Sequence, residues 1–293
     1  MDTIETSPAA KGTEKCCCTA AAGEQQQRHI TAGLGREVEL LLRGLYTGAT
    51  GMLVGLHQMD VTANNLANAS TPGYRSSDTI QRAFPSLLIQ RLERMDSAGG
   101  VQRAYIGELG VGTTLDGTYT NFAPGALRQT DNPLDAALLE PDVFFTIAAD
   151  DGLRYTRNGS FQLTAGGQLV DRSGNPVLGT QGPIYLRGND VIIDQDGYIY
   201  VDGVLVDRLL ITAFTEPQML QRQAGQYFAA LPEAGAYVPE EFTVVQGQLE
   251  QSNVNIVNEL VKMINVQRAY EANQKAVRAA DDTLGKLVNE INV

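Results

Sequence analysis

The residues best suited to chemistry in this sequence are acidic residues next to glycines. Asp194-Gln195-Asp196-Gly197 resembles the start of a calcium-binding loop, in which a glycine occupies position six. Aligning Gly197 at that position puts Ile192 at position one and Gly203 at position twelve, and neither residue can supply a carboxylate. The stretch is therefore predicted to be a turn and not a metal site.

The cysteines and histidines do not form a metal-binding pattern either. The three cysteines are adjacent, at 16–18, and the two histidines are His29 and His57. Structural zinc sites take their ligands from spaced pairs of cysteine or histidine, and disulfide frameworks need cysteines separated along the chain. No metal site and no disulfide framework is predicted.

Other candidate catalytic patterns fail on spacing. The glycines in "GELGVG" (107–112) lack the dinucleotide-binding spacing, and no helical pattern follows them. The acidic pairs Asp150-Asp151 and Glu240-Glu241 lie in turn-like contexts, and neither histidine has a partner pattern for general-base catalysis. The chain is predicted not to be an enzyme and to need no cofactor.

Composition narrows the classes of partner. The chain has 293 residues, of which 43% are hydrophobic, and a formal net charge of −12. Such an acidic chain without clustered Lys and Arg is not expected to bind nucleic acid. It has no apolar stretch of the roughly 20 residues that span a bilayer, and no secretory signal pattern. We therefore expect no membrane insertion. Because no catalytic pattern is found, we also expect no small-molecule substrate.

Residues 1–40 form a separate segment. They combine "CCCTAAAGEQQQ" with scattered charge and show neither helical nor strand periodicity, so we predict disorder. Gly35-Arg36-Glu37-Val38 can be encoded by codons that contain a ribosome-binding sequence. We hypothesise that native translation starts near Leu41 and that the segment is a mis-assigned extension.

A long amphipathic helix is predicted over 42–68. Its apolar residues alternate at spacings of three and four, which is the pattern of a coiled-coil seam. Pro72 and Gly73 supply the stop. The seam consists of Leu42, Leu45, Ala49, Met52, Leu56, Met59, Ala63 and Leu66.

A second helix is predicted over 253–292, with Ser252 or Asn253 as its N-cap. One stripe is spaced by four and three: Ile256, Leu260, Met263, Gln267, Tyr270, Gln274, Val277, Asp281, Leu284, Val288 and Ile291. A second stripe of mostly small residues lies on a neighbouring face. The two helices could form one antiparallel pair within a monomer, but a single pair does not cover two faces, so the remaining apolar surface indicates contacts with other molecules.

The middle of the chain, 111–246, has the pattern of antiparallel β-structure. Short runs rich in β-branched and aromatic residues alternate with turn residues, and Asp196-Gly197 and Asp202-Gly203 are typical hairpin turns. No helical pattern separates successive strands, which disfavours a doubly wound α/β fold. The predicted class is α+β: long N- and C-terminal helices paired as a coiled-coil-like stalk, with an all-β antiparallel central domain.

Five motifs then carry a family resemblance that covers 42–293. The chain resembles the bacterial flagellar basal-body rod and hook protein family. The motifs, in chain order, are "LRGLYT" (42–47), "ANNLANASTPGYR" (63–75), "DNPLDAAL" (131–138), "RYTRNGSF" (154–161) and "GQLEQSNVNIVNELVKMINVQRAYEANQKAV" (247–277).

The resemblance implies a structural protein of the flagellar basal body, outside the cytoplasmic membrane, that is exported by the flagellar type III apparatus. Its implied partners are further copies of itself, in a helical homopolymer, and other rod and hook proteins. The length suits a rod protein, most like a proximal or distal rod subunit of Gram-positive type. The chain departs from many relatives at 139–142, where they have a glycine-containing turn.

The expected organisation has five parts. These are a non-family extension (1–40), an N-terminal axial helix and turn (41–75), a connecting segment (76–110), the β-rich domain (111–246) and a C-terminal axial helix (247–293). The residues predicted to make subunit contacts are Leu45, Met52, Leu56, Met59, Asn64, Asn65, Leu66, Asn68, Pro72, Gly73, Ile256, Leu260, Met263, Tyr270, Val277 and Leu284.

Two other functions compete with a rod subunit. A non-flagellar coiled-coil adaptor, or a secreted β-domain protein, would use the helices only for dimerisation. A rod component that cleaves peptidoglycan would need a hydrolase site, which the patterns above do not supply.

Overall fold

The computed structural model describes residues 16–94, 101–188, 190–223 and 225–291. Within them lie two long helices and a series of short strands between the helices. The strands of the central sheet pair in antiparallel fashion, so the predicted α+β class is confirmed. No described helix is long and apolar enough to cross a membrane.

The first helix, α1, spans Cys16–Ala67. Its end agrees with the predicted stop, because the chain turns at Pro72 and Gly73 soon afterwards. Its start does not agree, since disorder was predicted over 1–40 and the part at 16–40 is helical. The segment is rich in Ala, Gln, Glu and Leu, which favour a helix even where no apolar stripe exists. The rest of the predicted extension, 1–15, lies outside the described residues.

The second helix, α2, spans Ile256–Ile291 and begins later than predicted. Its N-cap is Asn255, whose side-chain oxygen accepts a hydrogen bond from the backbone N–H of Asn258 at 3.2 Å. The predicted caps have other partners. The Ser252 hydroxyl accepts a hydrogen bond from Val254, and the Asn253 amide donates to backbone carbonyls elsewhere in the chain.

The strands are short, and most lie between Thr113 and Glu250. They are β1 Ser77–Ala83, β2 Leu87–Arg94, β3 Val101–Leu109, β4 Thr113–Thr120, β5 Leu127–Gln129, β6 Ala136–Leu138, β7 Val143–Ala149, β8 Gly152–Thr156, β9 Gln162–Leu163, β10 Leu169–Val170, β11 Leu178–Gly179, β12 Gly182–Pro183, β13 Val191–Ile193, β14 Tyr198–Val201, β15 Val204–Arg208, β16 Ile211–Phe214, β17 Leu220–Gln223, β18 Tyr227–Ala230, β19 Ala236–Tyr237, β20 Val244–Gln246 and β21 Gln248–Glu250.

Six strands form the largest sheet, in the order β17-β18-β8-β7-β16-β19. Successive residues of a strand point to opposite faces, and β7 places an aromatic ring on each face. Phe145 packs in the larger core with Phe161, at a ring-centroid distance of 5.1 Å. Phe144 packs on the other face in an aromatic cluster with Phe214 and Phe228. Both faces of this sheet are therefore buried along β7.

The predicted hairpin turns are confirmed. Asp202 and Gly203 join β14 to β15 with φ of 52° and 81°, as a two-residue turn with two left-handed positions requires. The stretch that resembles a calcium loop is the turn between β13 and β14, closed by a hydrogen bond from Gly197 N–H to Asp194 O at 2.9 Å. Among the described residues, no cluster of three or more His, Cys, Asp or Glu could hold a metal.

The segment predicted as a connection, 76–110, contains strands that sequence reasoning missed. Strand β1 pairs with β4, and β2 pairs with β3 along an antiparallel hairpin from Leu87↔Leu109 to Arg94↔Val101. The tip of this hairpin lies outside the described residues.

The chain divides into two compact units. The first unit comprises Met1–Met52, Ala83–Gly112 and Ala272–Val293; the second comprises Leu53–Arg82 and Thr113–Glu271. Each helix contributes to both units, and nearly all of the β-rich domain belongs to the second unit.

Candidate functional site

In the first unit, α1 and α2 come close together at glycines. A Cβ placed on Gly48 would lie 2.8 Å from Cγ2 of Val277, and one on Gly51 would lie 2.7 Å from Nδ2 of Asn273. The α2 residue that is approached has a lower sequence number at Gly51 than at Gly48, so the two helices run in opposite directions here. Glycine permits this close approach because it has no side chain.

The second unit contains a third glycine of the same face. A Cβ on Gly55 would lie 3.9 Å from the Tyr270 side chain, and further along α1, Thr62 is buried. We refer to Gly48, Gly51 and Gly55 as the glycine face. It does not coincide with the predicted seam, since Leu56 of that seam remains 45% exposed. The face of α1 that meets α2 in a single chain is thus not the leucine and methionine seam.

Asn65 joins four segments of the second unit at one buried amide. Its Nδ2 donates to Ser77 O at 2.8 Å and to Glu259 Oε2 at 3.2 Å. Its Oδ1 accepts hydrogen bonds from the Tyr74 hydroxyl and from the backbone N–H of Ser77. The amide therefore fixes the end of α1 to β1 and to the first turns of α2. Burial raises the pKa of the Tyr74 hydroxyl, which favours its neutral, donating form.

Gly73 allows the chain to turn sharply after α1. Its φ is +67°, and a Cβ there would overlap the backbone of Arg157. Its N–H donates to the backbone oxygen of Glu250 at 2.8 Å. A side chain at this position would therefore strain the backbone and separate the turn from the β-rich domain.

Beside this turn, three charged residues form a buried ion-pair cluster, which we call the root cluster: Arg75, Arg157 and Glu250. Arg75 Nη1 lies 2.6 Å from Glu250 Oε1, and Arg157 Nη2 lies 2.7 Å from Glu250 Oε2. All three residues are at least 98% buried. The cluster joins the turn after α1, the residue that follows β8, and the last residue of β21, close to the start of α2.

Burial dominates the electrostatics of the root cluster. It lowers the pKa of Arg75 to about 10, although the Glu250 carboxylate acts in the opposite direction. Burial lowers the pKa of Arg157 in the same way, and Glu250 again opposes the change. Arginine side chains keep their charge in proteins, so in the root cluster one carboxylate contacts two cations.

Asn253 connects the remaining backbone around the start of α2. Its Oδ1 accepts from Ser76 N–H at 2.7 Å, and its Nδ2 donates to Asn121 O and Ala123 O, each at 2.9 Å. The segments that leave α1 and enter α2 are therefore bonded to each other and to the strand region. This arrangement suits mechanical attachment, because its hydrogen-bonding groups are used within the chain.

Three family models match the chain in the expected order. The model described as "Flagella basal body rod protein" matches residues 45–75. The model "Flagellar hook protein FlgE/F/G D1 domain" matches 139–201, and the model "Flagellar basal body rod FlgEFG protein C-terminal" matches 245–290. Asn65 and Gly73 lie in the first match, Arg157 in the second and Glu250 in the third.

Individual relatives match along most of their length. A flagellar hook-basal body complex protein, FlhO of Bacillus subtilis, is 29% identical over 86% of this chain and 99% of its own. The flagellar basal-body rod protein FlgG of Borreliella burgdorferi is 31% identical over 84% of this chain and 97% of its own.

The chain belongs to the flagellar basal-body rod protein family. It is accordingly a structural rod subunit of the flagellum, located in the basal body. The flagellar basal-body rod protein FlgG of Buchnera aphidicola subsp. Schizaphis graminum, 30% identical over 84% of this chain and 99% of its own, supports the same assignment.

Within this rod-family chain, fifteen of the predicted contact residues fall into three groups, and Asn64 is described with the first for comparison. Asn65 and Gly73 are buried and bonded within the chain, whereas Asn64 is exposed and its Nδ2 donates to Asp60 O in its own helix. Tyr270 and Val277 face α1 across the glycine face. The third group is partly or largely exposed: Leu45, Met52, Leu56, Met59, Leu66, Asn68, Pro72, Ile256, Leu260, Met263 and Leu284. A role between subunits stays a prediction for all sixteen.

Sequence reasoning missed the glycine face and the root cluster. Glycine carries no weight in an apolar stripe, although the spacing of Gly48, Gly51 and Gly55 by three and four was a usable signal. Arg157 and Glu250 stand inside motifs that otherwise read as strands. A charged residue in a strand that is buried on both sides needs a partner. This rule would have identified Arg157 and Glu250 as candidates for a buried ion pair.

Proposed function

We propose that this rod subunit polymerises through its terminal helices into the drive shaft that transmits torque for motility. In this proposal α1 and α2 pair as a coiled-coil-like unit, and their outer faces pack against other copies. The β-rich domain and its root cluster hold the two helices in place.

The observation that carries the proposal is the exposure of large apolar side chains on both helices. Contiguous apolar surface of this kind marks interaction sites. The exposed residues are Leu42, Tyr46, Leu53 and Leu56 on α1, and Ile256, Val257, Leu260, Val261, Ile264 and Val288 on α2.

A coiled-coil-like pair is supported by the spacing of the less exposed residues on α2. Apart from Gln274, they follow one another at intervals of four and three, as knobs do on one side of a coiled coil. The series is Glu259, Met263, Val266, Tyr270, Asn273, Val277, Ala280 and Leu284. The residues that approach the glycine face, Val266, Tyr270, Asn273 and Val277, all belong to it.

Repetition of the same contact explains how a shaft forms. A contact between different surfaces of identical subunits does not close upon itself unless the rotation fits, so it generates a helical tube. The partners in this proposal are further copies of the chain and other rod or hook proteins. Export through the flagellar type III apparatus delivers the subunit, and no bond is made or broken in its function.

Aspartate substitutions on the helix faces test the proposal. Leu56→Asp and Leu260→Asp place a charge where the side chains are 45% and 42% exposed, so the monomer should keep its thermal stability. Between subunits the same charge would be desolvated, so rods should not assemble and swimming in soft agar should be lost.

The matched control is Leu205→Asp, which makes the same change at a residue of β15 that is 53% exposed. It should leave motility intact. Normal motility of either helix variant, at normal expression, would refute the proposed role of the helix faces.

A further inference from the structure

The root cluster places two cations in direct contact with one carboxylate. Among the described residues, Arg75 and Arg157 both form their ion pairs with Glu250. The carboxylates of Glu140 and Asp142 act on the arginines from longer range and form no ion pair with them. Burying a charge without a partner is costly, so the second arginine needs a reason.

The two arginines are hydrogen-bonded to different extents within the cluster. Arg157 uses all three of its side-chain nitrogens: Nε donates to Glu250 Oε2 at 2.8 Å, and the two Nη atoms donate to three backbone carbonyls as well as to the carboxylate. Arg157 and Glu250 therefore form a complete, neutral pair without Arg75.

Arg75 is held by a single nitrogen. Its Nη1 donates to Ala123 O at 2.5 Å and contacts Glu250 Oε1, whereas Nε and Nη2 have no hydrogen-bond partner among the described residues. Arg75 is therefore the surplus cation, and Glu250 is the carboxylate that partly neutralises it.

The unequal bonding of the two arginines implies an order in which the segments of the cluster dock. Strand β21 can dock on the β-rich domain through the Arg157–Glu250 pair before the turn after α1 arrives. If the turn at 73–75 docked first, Arg75 would be buried beside Arg157 without the carboxylate that both arginines contact, which is unfavourable. Docking of the turn also requires the backbone oxygen of Glu250, which accepts from Gly73.

We propose that Glu250 positions both the turn at 73–75, which follows α1, and the segment that leads into α2. Arg75 then makes docking of the turn conditional on prior docking of the segment that leads into α2. The inference rests on the proposed function, since rod assembly needs both helices fixed to the same domain.

Hydrogen–deuterium exchange of the full-length monomer tests the order of docking. In Arg75→Gln, amides around 73–77 should exchange faster while those at 249–253 stay protected. In Glu250→Gln, both segments should exchange faster. Equal loss of protection in both segments in Arg75→Gln, or protection of 73–77 in Glu250→Gln, would overturn the proposal.

Thermal unfolding supplies a second measurement, which remains informative even if a variant is destabilised. Glu250→Gln leaves two buried cations unpaired and should lower Tm by roughly 10 °C or more. Adding Arg75→Gln removes the surplus charge and should recover a large part of that loss. If the double variant is as unstable as Glu250→Gln, or less stable, Arg75 is not a surplus cation and the proposal fails.

The matched control is Arg154→Gln, which removes an arginine from β8 outside the cluster and should change neither readout. Both readouts concern the monomer. If the aspartate variants kept normal motility, the proposed function would be refuted while the exchange and Tm results stayed the same. If the exchange and Tm results failed, the motility test of the proposed function would be unaffected.

Discussion

The β-rich domain and the two helices place their large apolar side chains in opposite ways. In the six-stranded sheet, Phe144 and Phe145 are fully buried on its two faces. On the helices, Leu53 is 67% exposed and Val257 is 68% exposed. The domain buries its apolar residues within the chain, whereas the helices leave theirs exposed, where the proposed contacts with other subunits would bury them.

The same contrast appears in the polar groups. Buried side chains of the second unit, such as Asn65 and Arg157, have most of their hydrogen-bonding groups occupied within the chain. The helices are fixed at their roots by these bonds and then present apolar residues outward. Stability of the monomer and assembly of the polymer should therefore respond to different substitutions.

The largest expected effect on the monomer is in the sheet core. Phe145→Ala removes a ring that packs against Phe161 and leaves a cavity, which should cost about 3–5 kcal/mol in the free energy of unfolding. Urea denaturation of the purified monomer measures it. A cost below about 1 kcal/mol would remove the contrast between the two regions.

A smaller effect is expected where the helices are attached. Asn65→Ala leaves the Tyr74 hydroxyl, the Ser77 N–H and Glu259 without their buried partner, which should cost about 1–3 kcal/mol. Asn64→Ala, the same change at an exposed neighbour, should stay within about 0.5 kcal/mol. Equal values for the two variants in urea denaturation would mean that the buried amide does not anchor α1.

The smallest effects, of opposite sign, are expected on the glycine face. Gly55→Ala has room for its methyl group and improves helix propensity, so it should stabilise the monomer by up to about 1 kcal/mol. Gly48→Ala meets the branched Val277 side chain at 2.8 Å, so the gain should be cancelled or reversed. If both variants shift the urea midpoint equally, α1 and α2 do not touch at Gly48 in solution.

Local signals in the sequence predicted the fold class and several turns. Asp202-Gly203 was readable because a two-residue hairpin turn demands particular residue types at particular positions. The two helices were readable because each carries apolar residues at helical spacing over many turns. These features depend on residues close together in the chain.

The parts that depend on distant residues were not predictable. Arg75 and Glu250 meet only because the fold brings both ends of the β-rich region together. The face of α1 that meets α2 within the chain was not predicted, because close helix contact here uses glycine and not leucine, and an apolar pattern cannot distinguish a face that binds α2 from one that remains exposed. The start of α1 was missed because propensity without periodicity was given no weight.

The central claim is that exposed helix residues become buried when the subunit assembles. Leu53→Cys, in a chain whose native cysteines are replaced by serine, can be labelled with a maleimide in the monomer and in isolated basal bodies. Val204→Cys, at a β15 residue that is 66% exposed, is the matched control. We predict that the helix cysteine reacts in the monomer and is protected in basal bodies, while the control reacts in both. A helix cysteine that reacts equally in both samples would contradict the claim.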